Sequence, residues 1–141
     1  MHIHSEHKHY KRGNVKPTKD WLKAVIMEEN KVPGEINIIF MGDDELKEIN
    51  SKYLKHDYYT DVITFNYNIE NKISGDIFIS YDRIVENAAS YGVDKSNEVN
   101  RIIIHGILHL LGYNDKRKRE ILRIREKENY YLGQIVSQDL K

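Results

Sequence analysis

The chain has no cysteine, 2 prolines and 1 tryptophan among its 141 residues. The missing cysteines exclude disulfides, thiolate metal sites and a cysteine nucleophile, and they are compatible with a reducing compartment. Surplus charge is missing too, because 22 Lys plus Arg face 22 Asp plus Glu. Bulk charge therefore gives no argument for nucleic acid or membrane binding, and a nucleic-acid partner needs a local basic face. No apolar run reaches the ~18 residues of a membrane span. The opening segment Met1 to Glu6 lacks the apolar core of a signal peptide. The expectation from these absences is a cytoplasmic protein. What remains is a chain 40% hydrophobic and 31% charged. That suits one globular unit over residues 1–141, long enough to bury a core without staples.

Hydrophobic spacing gives the order of elements. Residues 1–16 carry His2, His4, His7 and His9 and read as a floppy or edge-strand segment. Thr18 is placed to cap a helix through Trp21, Leu22, Val25 and Ile26, ended by Pro33-Gly34. Glu35 to Met41 reads as a buried strand. A second helix starts at Gly42-Asp43-Asp44, with Leu46, Ile49 and Tyr53 as its inner stripe. Asp61 to Tyr67 and Gly75 to Ser80 read as the strands of a hairpin with a long loop. Tyr81 to Tyr91 is helical and closed by Gly92. Ser96 is placed to cap a long helix, apolar nearly all round from Val99 to Leu111, which should be central and buried. Gly112 stops it, and Lys116 to Tyr131 forms a charged helix with the stripe Ile121, Leu122 and Ile124. Strands and helices do not alternate regularly, so the class is α+β, with a mixed sheet of about four strands.

The chemistry is concentrated in His105-Gly-Ile-Leu-His109-Leu-Leu-Gly112-Tyr-Asn-Asp115. Residues i and i+4 lie about 40° apart around a helix and one turn apart along it, so the two imidazoles point the same way. Gly112 lets the chain double back, and Asp115 comes round as a third donor. Two imidazoles and one carboxylate leave positions for water, the pattern of a catalytic metal site. The bland alternative is a pair of hydrogen-bonded histidines; an unpartnered imidazole inside so apolar a helix is costly, which favours a ligand role. The spacing is that of H-E-x-x-H-x-x-G-x-x-H metalloproteases, but Gly106 stands where their general base stands. That argues against a protease and leaves hydrolysis in which the metal lowers the pKa of water.

These residues resemble a known family. HGILHLLGYND looks like the H-G-x-L-H-L-x-G-Y-D-H signature of the YbeY family, the bacterial endoribonucleases of rRNA maturation. The stretch from Asn50 to Phe65 is similar to the family's segment ending T-D-V-L-S-F, and Gly75 to Ser80 resembles its G-D-I-x-I-S strand. The resemblance implies a single α+β domain and one zinc ion held by His105, His109 and Asp115. It also implies cleavage of single-stranded rRNA at the 16S 3′ end, and ribosome quality control with the small subunit or its proteins as partners. Asp115 falls where the family's third histidine stands, Asn114 where an Asp stands, and Leu54 where an Arg faces the cleft. Two histidines and a carboxylate also suit Fe(II), Mn(II) or Ni(II). The alternative reading is a non-catalytic ribosome-assembly factor with a structural metal.

Other residues carry two readings each. Asp61 either orients a ligand histidine or satisfies loop backbone, and Asp76 shares that ambiguity. Ser80 either meets phosphate or caps the next helix. Arg101, the candidate catalytic residue, either approaches the scissile phosphate or pairs with Glu98. The basic run Lys116 to Arg119, then Arg123, Arg125 and Lys127, begins directly after Asp115 and is placed for phosphate contacts. The neutral total hides a basic N-terminus, up to Lys23, and an acidic stretch from Glu28 to Glu48. Tyr53, Tyr58, Tyr59 and Tyr67 either stack on unpaired bases or pack within the fold.

Overall fold

A four-stranded mixed sheet forms the middle of the molecule, in the order β1-β2-β4-β3. The structure is a computed structural model and describes residues 1–138; the last three residues of the expected unit lie outside them. The strands are β1 (His2–Ser5), β2 (Val32–Met41), β3 (Val62–Asn66) and β4 (Lys72–Ser80). The helices are α1 (Lys16–Glu28), α2 (Asp43–Leu54), α3 (Tyr81–Tyr91), α4 (Lys95–Leu110) and α5 (Lys118–Gln138). β1 and β4 run parallel to β2, and β3 is antiparallel to β4. The chain is a single-domain α+β protein, and no described helix is long and apolar enough to cross a membrane.

The alternation of side chains along the strands divides the apolar residues between two faces. Ile3, Ile36, Ile38, Phe40, Ile73, Ile77 and Ile79 face one way, into the larger core with Trp21, Leu22, Val25 and Ile26 of α1, and with α4. Ile39, Met41 and Ile63 face the other way and meet Leu46 of α2. Helix α4 is central, as its sequence demanded, with Ile103, Ile104, Ile107 and Leu108 fully buried. Two glycines let backbone and helix come close. A Cβ on Gly106 would lie 2.8 Å from Ile77 Cγ2, and one on Gly75 2.4 Å from the Phe65 carbonyl. So Gly106, besides removing a general base, is the point where α4 rests on β4.

Local details correct the expected boundaries. Val15, not Thr18, precedes the first turn of α1, which begins at Lys16 and carries Pro17 as its second residue. The Thr18 hydroxyl accepts a hydrogen bond from Arg12 Nη2 at 2.8 Å instead. Pro33-Gly34 lies inside β2 at a register shift rather than ending a unit, because the chain is extended there already. β4 likewise begins at Lys72, within the stretch expected to turn. Asp94, not Ser96, precedes α4. On α2 Leu46 and Asn50 are buried and Ile49 is partly buried against the same cluster, while Tyr53 is exposed. On α5, Ile121 and Leu122 are exposed, and the buried stripe is Ile124, Glu128, Tyr131 and Ile135. Ser80 caps α3: its Oγ accepts from Arg83 N at 3.2 Å and donates to Asp43 Oδ1 at 2.6 Å. Of the N-terminal histidines, His2 and His4 took the edge-strand alternative, with β1 paired to β2, while His7 and His9 lie beyond the strand.

Candidate metal centre

The C-terminal end of α4 is built to project two imidazoles and then reverse. His105 and His109 lie on one helix face, half-buried. Gly112 adopts φ +103°, a conformation that favours glycine, and its N–H returns to the His109 carbonyl at 3.0 Å. Asn68 Nδ2, from the β3–β4 connection, donates to the Leu110 carbonyl at 2.8 Å and satisfies an end group of the helix. The reversed segment is then pinned. Tyr113 Oη donates to Glu29 Oε1 at 2.6 Å, and Lys127 Nζ pairs with Glu29 Oε2 at 3.0 Å. Tyr131 Oη donates to the same carboxylate. Burial alone would raise the Glu29 carboxyl, but these three donors outweigh it and hold it below its ordinary value. Glu29 thereby ties the end of α1, the turn before Asp115 and α5 together.

The three donors converge. His105 Nε2 and His109 Nε2 are 2.9 Å apart, and Asp115 Oδ2 lies 3.4 Å from the first and 3.3 Å from the second. One ligand atom from each residue falls within a 4.8 Å set. Ligands about 2.0–2.1 Å from a tetrahedral ion stand roughly 3.3 Å from each other, so the residues fit a divalent ion with a few tenths of an ångström of adjustment between the imidazoles.

Glu128 completes the arrangement, and the sequence reading missed it. It lies on α5, is 3% exposed, and accepts a hydrogen bond from His105 Nδ1 at 2.5 Å through Oε2. A carboxylate on Nδ1 fixes the tautomer and turns Nε2 toward the shared point. Its other oxygen, Oε1, accepts from Arg101 Nη1 at 3.1 Å and lies 3.6 Å from Arg125 Nε. A lone carboxylate in the stripe Ile124, Tyr131, Ile135 was the available signal, since an acid among buried positions needs a partner. Arg101 also donates to Asn129 Oδ1 at 3.0 Å; of its two readings the ion pair is the one seen, with Glu128 in the place considered for Glu98.

The orienting role considered for Asp61 thus falls to Glu128. Asp61 accepts hydrogen bonds from its own N–H and that of Val62, the loop-satisfying role. It also lies near enough to His105 and Asp115 to interact with both charges, and burial raises its carboxyl above the ordinary value. Asp76 faces away from α4 and accepts from Asn37 Nδ2 at 3.0 Å.

The two imidazoles shift in opposite directions. For His105, burial would lower the pKa, but the hydrogen bond and charge of Glu128, with Asp115 and Asp61, outweigh it and raise the imidazole. For His109, burial and then the charge of His105 lower it. Of the two imidazoles, His105 is therefore the one that holds a proton more readily. A divalent cation is the stronger occupant of the point faced by both Nε2 atoms and Asp115.

The basic run borders this point. Lys116, Arg117, Lys118, Arg119 and Arg123 are exposed and form no ion pair with a described residue, whereas Arg125 and Lys127 are engaged. The loop from Lys55 to Tyr59 is also exposed, with Tyr58 stacked on His56 and Tyr59 bonded to Asp44. Leu54 is exposed at the end of α2.

Two imidazoles and one carboxylate on a helix and the turn after it are the donor set of an open, hydrolytic type of metal centre, carried here on a mixed α+β sheet. Comparison with known proteins is in accord. The family model Endoribonuclease YbeY matches residues 2–136, and the chain belongs to that family. The protein named Endoribonuclease YbeY from Azobacteroides pseudotrichonymphae genomovar. CFP2 is 48% identical over 124 residues, 88% of this chain and 89% of the relative. That from Parabacteroides distasonis is 49% identical over 118 residues, 84% of this chain and 83% of the relative. Among solved structures, the solution structure of TM1509 from Thermotoga maritima superposes with a TM-score of 0.66 at 28% identity, covering 96% of this chain and 90% of that one.

Proposed function

We propose that the protein is a metal-dependent endoribonuclease that cuts single-stranded RNA, acting in 16S rRNA 3′-end maturation and ribosome quality control in the cytoplasm. The observation that carries this reading is the convergence of His105, His109 and Asp115 in a chain of the YbeY family. These three residues would hold one zinc ion. Bound there, the ion supplies Lewis acidity toward the phosphate and lowers the pKa of water. Glu128 holds the proton on His105 Nδ1 and so keeps Nε2 as a donor to the ion. Asp61 lies near enough to His105 and Asp115 to interact with both charges and would be a candidate to exchange a proton beside the ion. Arg101 acts by fixing Glu128. The unpaired cations from Lys116 to Arg119 hold the RNA backbone, in a contact that weakens with salt. Exposed Tyr53, Tyr58 and Tyr67 are available to stack on unpaired bases of rRNA on the small subunit.

The test is cleavage of 3′-extended rRNA by the purified chain with and without added zinc, alongside His109→Ala. Metal-dependent cutting lost in the variant supports the reading. Tight, metal-independent RNA binding with no cleavage would establish an assembly factor with a structural ion instead. Equal cleavage by His109→Ala would assign the activity to a contaminant.

A further inference from the structure

The last turn of α4 answers most of its own carbonyls. A helix end leaves its final carbonyls without partners inside the helix. Here Tyr113 N–H donates to the Leu108 carbonyl at 3.0 Å, Gly112 N–H to that of His109 at 3.0 Å and Leu111 N–H to that of Ile107 at 2.9 Å. The first two are the bonds of a helix end closed by glycine. The carbonyl left over is that of Leu110, and it is answered from the β3–β4 connection. Asn68 Nδ2 donates to it at 2.8 Å, and Asn66 Nδ2 approaches it at 3.5 Å.

Asn68 is itself held. Its N–H donates to Asn66 Oδ1 at 2.8 Å, and its Oδ1 accepts from Ser74 N–H at 2.7 Å. Tyr67 and Ser74 stand opposite each other in the continuing register of the hairpin, and Tyr67 N–H donates to the Ser74 carbonyl at 2.9 Å. The reciprocal N–H of Ser74 leaves the ladder for the Asn68 side chain. A local rule broken where regular pairing was available points to a functional constraint. The same hairpin seats the Leu110 side chain, since a Cβ on Gly75 would lie 2.8 Å from Leu110 Cδ2. Leu110, the residue after His109, is thus gripped by side chain and by carbonyl.

His109 depends on that grip more than His105 does. A carboxylate on α5, Glu128, turns the His105 ring. The His109 ring hydrogen-bonds the backbone of Tyr113 instead, in the reversed turn. Its orientation therefore follows the way that turn sits on the end of α4. We propose that Asn68, aided by Asn66, is a positioning residue of the metal centre: by taking the Leu110 carbonyl it fixes the last turn of α4, and with it the aim of His109 and the course of the chain to Asp115. The inference deepens the metal-centre reading and rests on it.

The test compares Asn68→Ala and Asn68→Asp with Asn37→Ala. Asn68→Asp keeps the size of the side chain and an acceptor for Ser74 N–H but removes the donor to Leu110. Asn37→Ala removes the Asn37–Asp76 hydrogen bond on the face of the sheet away from α4, and so measures plain loss of stability. Both Asn68 variants should bind zinc about tenfold more weakly in titration calorimetry, the low end of what loss of an outer-shell partner costs. Cobalt(II) bound in place of zinc should show an altered visible spectrum, because its bands follow ligand geometry. With 3′-extended rRNA, kcat should fall and KM should stay as it is. In chelator, amide exchange at Gly112 and Tyr113 should be faster in both variants. Asn37→Ala should lower Tm and keep the native zinc affinity and cobalt spectrum. Native zinc affinity and an unchanged cobalt spectrum in both Asn68 variants overturn the proposal and leave the metal centre standing, as does an equal loss of affinity in Asn37→Ala. A native chain that binds no zinc overturns the metal-centre reading and this inference together.

Discussion

At its C-terminal end α4 gathers His105, His109, Asp115, Asp61 and Glu128, acceptors and acids suited to a cation. At its N-terminal end the same helix borders a cavity of about 900 Å³ lined by Arg12, Lys11 and a set of amides. The helix dipole is negative at the end where the cation belongs. One buried helix therefore presents opposite chemistries toward the two ends of an axis about 24 Å long, from its 16 residues at about 1.5 Å each. Arg101 and Glu128 link them mechanically, because that pair reaches from the cavity wall to His105 Nδ1. The lesson is that a residue close to either end can be assigned by which charge it leaves unanswered. Glu128 answers His105, whereas Arg12 meets the hydroxyls of Tyr10 and Thr18 and no carboxylate among the described residues.

The largest effect is expected from removing the cation end. His109→Ala should reduce zinc affinity and cleavage by more than the ~10–100-fold that loss of an outer-shell partner costs. Titration calorimetry with zinc and the rRNA assay measure both. Gly106→Ala comes next, since its new Cβ must displace Ile77 Cγ2 at 2.8 Å. Overpacking of this kind costs ~1–3 kcal/mol, read as a lowered Tm, and shifts the His105–His109 half of α4 away from the sheet.

Glu128→Gln should weaken zinc binding by about 10–100-fold at neutral pH. It also has a pH signature. Zinc needs a proton-free Nε2, and the raised His105 pKa means affinity is lost as pH falls through a value above the ordinary imidazole pKa. Glu128 is the main cause of that raising, so in the variant the loss should move to lower pH. An unmoved midpoint would deny Glu128 its positioning role.

The smallest effect concerns the pin behind Asp115. Glu29 has a depressed folded pKa against an ordinary 4.5, so its contribution is present above that ordinary value and is lost as pH falls through the lower folded one. Glu29→Gln should therefore cost about 1 kcal/mol at pH 7 and nothing in acid below the folded pKa. Melting curves across pH check this.

Much of this was legible from residue patterns. The period of α4, the i and i+4 histidines and Gly112 are local features, and local geometry alone brings His105 and His109 together. The α+β class and the strands around Ile38, Ile63 and Ile77 followed from alternation and apolar runs. Boundaries slipped where neighbours overrode local preference, as at Pro33-Gly34, carried into a strand by pairing with β4. Thr18 lost its expected capping role because the helix begins earlier, and its hydroxyl holds Arg12.

By itself, then, the sequence determined the elements and the two imidazoles, because these depend on contacts within a turn or two of the chain. Tertiary structure alone decided the partners drawn from far along it: Glu128 on His105, Glu29 on Tyr113 and Lys127, and the assembly of Arg12, Trp21 and the α4 N-terminus around one cavity. The physical reason is that a charge or a donor is answered by whatever folding brings within about 3 Å of it, and chain spacing carries no record of that distance.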